Sequence, residues 1–233
     1  MENPDVPMYI VFGYGSLIFK PPPHVIAETP GFLKGYVRRF AQSSNDHRGI
    51  PEDPGRVVTL IHIEDWNKFS ASDSFPHEDT VWGIAYSIDP TYAAETKAYL
   101  DYREKNGYTE TTVDVWGVRN GEEVVLLHDT TVYVARPDNP AFVGSEPYDQ
   151  LAHHIWSHQG PSGTNKEYLY RLSDAVRRLA PESHDSHLVT LEAKVRALDD
   201  EAALVLYLLS VGCRTSIRLS KFWSFVTRPV VVL

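Results

Sequence analysis

The order in which two hydrophobic periodicities appear along this chain constrains its fold more than any other feature. From residue 8 to residue 135, short apolar or alternating runs recur, separated by clusters of Gly, Pro, Asp and Asn. Runs of this kind, rich in Val, Ile, Tyr, Trp and Thr, are strand signals. Six are recognised: residues 8–12, 36–42 (YVRRFAQ), 56–63 (RVVTLIHI), 81–88 (VWGIAYSI), 109–116 (TETTVDVW) and 123–135 (EVVLLHDTTVYVA). Helical signals interrupt the series once and then replace it. Asp89-Pro90 opens a helix running to about Lys105, with Asn106-Gly107 as its stop. Residues 147–158 and 164–180 are helical on either side of a GPSG break at 160–163. Thr164 caps the second of these, with Glu167 as its capping-box partner. Residues 184–199 form a further amphipathic helix. Strands first and helices later, with one helix between strands, predict an α+β fold around a bent or closed sheet. The polar, turn-rich stretch 64–80 is expected to be an exposed loop inserted between two strands.

A length of 233 residues allows one domain with a full core and a small appendage. Lys plus Arg number 22 against 31 Asp plus Glu, a net charge of −9. That balance is unsuited to nucleic acid, whose phosphates require Lys and Arg. The single cysteine, Cys213, excludes an internal disulfide and a zinc site built on several cysteines. The first residues, MENPDVPMYI, lack the basic-then-apolar pattern of a secretory signal, so a reducing, cytoplasmic setting is the expectation. Residues 201–213 are apolar but fall short of the ~20 residues of a membrane span. They precede Arg214, Arg218, Lys221 and Arg228, with no acid among them. A basic-aromatic tail can lie on a membrane surface. The simpler expectation is a helix docked on the domain and then a loose end. The domain is accordingly assigned to residues 1–199, and 200–233 to a C-terminal extension without an assigned role.

The stretch VFGYGSLIF, residues 11–19, joins an apolar run to two glycines, a tyrosine and a serine. It is not a dinucleotide loop: Gly13 and Gly15 fit G-x-G-x-x-G, but Ile18 occupies the third glycine position and KPPPH follows. Nor is it a G-x-S-x-G nucleophile elbow. Two glycines permit unusual backbone angles, so that successive N–H groups can form an anion-binding nest. A tight turn without any ligand accounts for the same residues. Further on, in YLDYREKNGY, Ala93, Thr96, Lys97, Leu100 and Glu104 fall near one helix face. Glu104 therefore sits beside the apolar face in the last turn, where burial and the negative end of the helix dipole both disfavour its charge. A carboxyl raised in this way suits acid/base chemistry near neutral pH. A frayed surface glutamate paired with Arg103 or Lys105 fits the same position. His153, His154 and His158 lack the acid of H-E-x-x-H and are read as surface or interface histidines rather than metal ligands. Asp46, His47 and Arg48 lie in the turn SSNDHRG; without an elbow to present a serine they form a polar cluster that walls a pocket.

In this order, VFGYGSL, SSNDHRGIPEDPGRVVTL, VWGIAY, AYLDYREKNGY, DNPAFVG and GPSGTNKEYLYRL resemble the ChaC-type γ-glutamylcyclotransferases, the glutathione-specific branch of their superfamily, over roughly residues 9–197. The resemblance implies an α+β fold, a small mixed β-barrel with flanking helices. It implies cleavage of glutathione to 5-oxoproline and cysteinylglycine, with no cofactor and no metal. It assigns the acid/base role to Glu104 and binding of the γ-glutamyl end to Val11, Phe12, Gly13, Tyr14, Gly15, Ser16 and Leu17, with Tyr168 facing the same pocket. Other γ-glutamyl peptides or amines as substrates, or a non-catalytic ligand-binding barrel, are the competing expectations. The 64–80 insertion and the tail beyond Asp199 depart from the family pattern.

Overall fold

The computed structural model describes residues 8–69, 73, 75, 80–104, 107–181, 183 and 185–210. Strand β1 (Ile10–Gly13) is short and buried on both sides. Side chains alternate along a strand, so β1 faces two clusters. Val11 joins Leu17, Tyr86 and Leu100, while Phe12 joins Tyr14, Phe40, Val58 and Tyr168. Strands β2 (Val25–Leu33), β5 (Val81–Ile88), β6 (Tyr108–Arg119) and β7 (Glu122–Ala135) complete a closed barrel of order β1-β5-β2-β6-β7. Four of its neighbour pairs are antiparallel; the barrel is closed by a parallel contact at Val11↔Thr131. Strands β3 (Tyr36–Ser44) and β4 (Gly55–His62) form a separate antiparallel hairpin.

Strand β2 is absent from the six sequence-predicted strands. Pro30 and Gly31 punctuate it, and both normally argue against a strand interior. The structure accommodates them because β2 meets β6 at one register pair, Phe32↔Trp116, leaving most of that edge without ladder bonds. Gly31 is required by close approach: a Cβ there would lie 2.6 Å from the Trp116 carbonyl oxygen.

The stretch expected as an exposed loop is partly buried. It begins with α1 (Ile63–Trp66), whose Trp66 is enclosed beside Val37 and Ile61. The Asp73 carboxylate accepts from Arg39 Nε at 2.9 Å and from Trp66 Nε1 at 2.6 Å. A buried guanidinium needs such a partner, and this segment supplies it. The remainder of the predicted loop, 70–72, 74 and 76–79, lies outside the described residues.

A 3-10 turn (Pro90–Tyr92), capped by the Asp89 carboxylate accepting from Thr91 N at 2.8 Å, leads into α2 (Ala93–Arg103). Thr96 and Leu100 are its buried positions, and burying Leu100 contributes roughly 1.5–3 kcal/mol. Glu104 is the C-cap, its N–H bonded to Leu100 O at 2.8 Å; the predicted end at Lys105 and stop at Asn106 lie outside the described residues. Helix α3 (Tyr148–Ser157) ends in a two-residue hairpin, β8 (Gln159–Gly160) with β9 (Gly163–Thr164), which is the GPSG break. Gly163 adopts φ +108, the left-handed region open to glycine. Helix α4 (Asn165–Leu179) follows, and α5 (Ser186–Ser210) is longer than predicted. The predicted start at His184 lies outside the described residues. No helix breaker interrupts residues 199–209, and Ala and Leu there favour continuation.

The chain divides into two compact units, Met1–Leu198 and Asp199–Leu233. In the first, α5 buries Leu188, Leu191 and Val195. In the second, Leu204, Val205, Leu206, Tyr207, Leu208 and Leu209 are exposed; the tail beyond residue 210 lies outside the described residues. Among the described residues, no helix is long and apolar enough to cross a membrane.

Candidate active site

The chain leaves β1 at Gly13 and folds at once into a 3-10 turn, Ser16–Ile18. Neither Gly13 nor Gly15 adopts positive φ, but Gly15, at φ −123 and ψ −127, lies outside the extended and helical regions, as expected of a glycine with unusual backbone angles. Space is a second requirement at these positions. A Cβ at Gly13 would lie 2.7 Å from Leu17 Cβ, and one at Gly15 would lie 3.0 Å from Val58 and 3.4 Å from the Tyr168 hydroxyl. The first turn of such a helix leaves the leading N–H groups without intrahelical acceptors. The buried Tyr86 hydroxyl fixes the turn by donating to Leu17 O at 2.8 Å. Tyr14 is anchored through its hydroxyl to Tyr133 O at 2.7 Å.

This turn borders a cleft of about 230 Å³. Phe12, Tyr14, Gly15, Ser16, Leu17, Glu104 and Tyr168 line it, so seven of the nine residues predicted for the site come together. Val11 and Gly13 are not among the lining residues. They point to the opposite face of β1, where Val11 packs with Leu100 and Gly13 makes room for Leu17 and Tyr86.

Glu104 enters from the end of α2 with its side chain 19% exposed, so it is not a frayed surface group. Burial raises its carboxyl above the ordinary carboxylate range; the Arg103 guanidinium, Nε 3.6 Å away, opposes this, and the Asp46 charge reinforces it. Burial also raises the Tyr14, Tyr108 and Tyr168 hydroxyls, with the Glu104 charge adding to each. All three phenols therefore stay protonated at neutral pH, and the Tyr14 and Tyr108 hydroxyls donate to backbone carbonyls, Tyr133 O and Val58 O.

Three features of the cleft depend on contacts between motifs that lie far apart in the chain. Arg103 Nη2 donates to Ser16 Oγ at 2.8 Å, and its Nη1 reaches Lys20 O at 3.4 Å; one guanidinium thus links the glycine-rich turn to the residue beside Glu104. Tyr108, donating to Val58 O at 3.2 Å, follows Glu104 by four residues across the Gly107 turn. The turn carrying Asp46, His47 and Arg48 packs on the β8–β9 hairpin through Ser162 N to His47 O at 2.9 Å. This polar cluster was expected to wall a pocket, and all three side chains line the cleft. His47 Nδ1 lies 3.2 Å from Ser162 Oγ, and its Nε2 lies 3.9 Å from Asp46 Oδ1. Thr164 caps α4 by accepting from Glu167 N at 3.3 Å. The Glu167 carboxylate pairs with Arg48 at 3.2 Å, so its partner in the cleft wall is that guanidinium.

The histidine group lies elsewhere. His154 and His158 stack with ring centroids 3.7 Å apart. Their Nε2 atoms engage Pro54 O and Asp53 Oδ1, each at 2.8 Å, and so tie the β3–β4 connection to α3.

Comparison with known proteins places this geometry in a family. A family model described as ChaC-like protein matches residues 9–198. The chain is 46% identical over 186 residues to a glutathione-specific γ-glutamylcyclotransferase of Schizosaccharomyces pombe, covering 80% of this chain and 91% of that protein. It is 35% identical over 183 residues to the human glutathione-specific γ-glutamylcyclotransferase 1, covering 78% of this chain and 75% of that protein. A crystal structure of the yeast γ-glutamylcyclotransferase specific to glutathione superposes with a TM-score of 0.70 at 37% identity, over 82% of this chain and 99% of the other. With sequence and barrel agreeing over nearly the whole first unit, the chain belongs to the ChaC-like protein family.

Proposed function

We propose that this chain cleaves glutathione by cyclising its γ-glutamyl group, releasing 5-oxoproline and cysteinylglycine. The observation that carries this is a raised, buried carboxyl, Glu104, in the same cleft as the VFGYGSL turn of a ChaC-like chain. The α-amine of the γ-glutamyl group attacks its own γ-carbonyl carbon. A C–N bond closes the five-membered lactam, and the C–N bond to cysteine breaks. The chemistry has two proton demands: the α-ammonium must lose a proton before it attacks, and the leaving nitrogen must gain one. Glu104 meets both, as base and then as acid, which a carboxyl raised toward neutrality does well. The reaction is intramolecular, so a correctly folded substrate needs no external nucleophile, and orientation supplies a large share of the rate.

Gly15, Ser16 and Leu17 grip the γ-glutamyl α-carboxylate, Phe12, Tyr14 and Tyr168 shape the pocket around its stem, and Val11 and Gly13 support the turn from behind. The cations bordering the cleft, among them Lys20, Arg48 and Arg171, suit a substrate with two carboxylates. The location proposed is the cytoplasm, where glutathione is abundant.

The test is incubation of the purified chain with glutathione and quantitation of both products. Glu104→Gln should abolish turnover and leave binding largely intact. A Glu104→Gln enzyme that turns over normally would refute the mechanism, and a substrate panel in which glutathione is a poor substrate would refute the substrate.

A further inference from the structure

Among the described residues, Asp46 and Glu104 are the two acids lining the cleft. Glu104 has Arg103 beside it at 3.6 Å. Asp46 has no comparable partner. Its side chain is 36% exposed on the cleft wall, and its enclosed Oδ1 accepts no hydrogen bond among the described residues. The nearest charged-capable group, His47 Nε2, is 3.9 Å away, beyond hydrogen-bond reach, and is half exposed. Arg48, the next residue, is committed to Thr164 O and the Glu167 carboxylate. A carboxylate that lines a cleft with no donor from the protein is open to one from a ligand. A γ-glutamyl substrate carries a single cation, its α-ammonium, with three N–H bonds.

We propose that Asp46 is a substrate-binding residue: its carboxylate accepts one N–H of the γ-glutamyl α-ammonium while Glu104 receives the proton that leaves. The assignment rests on the cyclotransferase reading above and extends it to a second carboxylate. After proton transfer the neutral amine keeps a donor on Asp46, and that bond turns its lone pair toward the γ-carbonyl. Asp46 gives and takes no proton in this scheme, so the proton count remains that of one-carboxyl chemistry. The Asp46 charge also acts on Glu104 in the direction that makes it the better base. The site thereby selects for a free α-amine, and N-blocked or des-amino γ-linked peptides are excluded at binding as well as at chemistry.

The test uses the Glu104→Gln enzyme, which holds ligand without turnover, and two probes in calorimetry: glutathione and glutaryl-cysteinylglycine, the same molecule without the amine. With Asp46 present, the des-amino probe should bind about tenfold more weakly or worse; equal affinity for the two would overturn the proposal without any Asp46 variant. Adding Asp46→Asn should weaken glutathione about tenfold and leave the des-amino probe within about twofold. Parallel losses for both probes, or no loss for either, would overturn it. The unmutated enzyme is assayed first for 5-oxoproline. Absence of product defeats the cyclotransferase reading, whereas product formation with indifferent affinities defeats the role of Asp46 alone.

Discussion

Removing the Ser16 hydroxyl probes the link between the glycine-rich turn and the end of α2. Ser16 Oγ accepts from Arg103 Nη2 at 2.8 Å, a charge-assisted bond in a partly buried setting. Bonds to charged groups contribute roughly 1.5–3 kcal/mol. Arg103 keeps its contacts to Lys20 O at 3.4 Å and to Glu104 at 3.6 Å, and its side chain remains 13% exposed, so water and these partners recover part of the loss. The expected cost in stability is therefore about 1–2 kcal/mol, a fall in melting temperature of about 2–8 °C for a domain of this size. If the turn grips the γ-glutamyl carboxylate, the same change should weaken glutathione binding about tenfold and slow chemistry less. The assay is calorimetry on the Glu104→Gln background, where loss of a neighbouring guanidinium no longer acts through the Glu104 charge. Ser16→Ala, Arg103→Leu and the pair form a double-mutant cycle. Coupling of at least ~1 kcal/mol is expected, so the pair should be little worse than Arg103→Leu alone. Strictly additive losses would refute the clamp. Normal affinity with abolished turnover in Ser16→Ala would refute the binding role and point to chemistry at the serine.

Two further outcomes follow from charge and burial. As the proposed base, Glu104 would act only when ionised, and burial raises its pKa above the ordinary 4.5, so kcat/KM should be lost as pH falls through a value above that of a free carboxylate; Arg103→Leu should move this acidic limb up and Asp46→Asn should move it down, and limbs unmoved by both would detach it from Glu104. His187 is buried beside Arg39 and Arg38, with Nε2 accepting from Phe40 N at 3.1 Å, and its pKa lies well below 6.5. The unfolded chain takes up a proton near that value and the folded chain does not, so the stability is whole above about 6.5 and falls below it by up to about 1.4 kcal/mol per pH unit. Urea unfolding from about pH 7 to about 5.5 measures this, and a His187→Gln protein with an unchanged slope would show that another group is responsible.

Local chemistry made much of this molecule legible. Alternating runs marked six of the barrel and hairpin strands, because burial on one face of a pleat imposes a period of two. Asp89-Pro90 and Gly107 bracketed α2, because capping and positive φ restrict residue choice wherever they occur. Those two signals were enough to put Glu104 at a helix end beside an apolar face. What they could not convey depends on residues far apart in the chain. Pro30 and Gly31 spoke against β2, whose place in the barrel comes from its registry with β5 and from a close crossing with Trp116. The polar composition of residues 64–80 suggested exposure, yet Asp73 is drawn inward by the buried Arg39 and Trp66. Within VFGYGSL the sequence could not separate lining residues from supporting ones. The pleat of β1 turns Phe12 to the cleft and Val11 and Gly13 away from it, and Tyr14 lines the cleft just beyond the strand's end. Sequence alone thus determined most of the elements, whose constraints are local. Tertiary structure alone decided that Ser16 meets Arg103 and that Asp46 faces the cleft of Glu104 with an unpaired oxygen. These are consequences of barrel closure and packing, which no window of sequence contains.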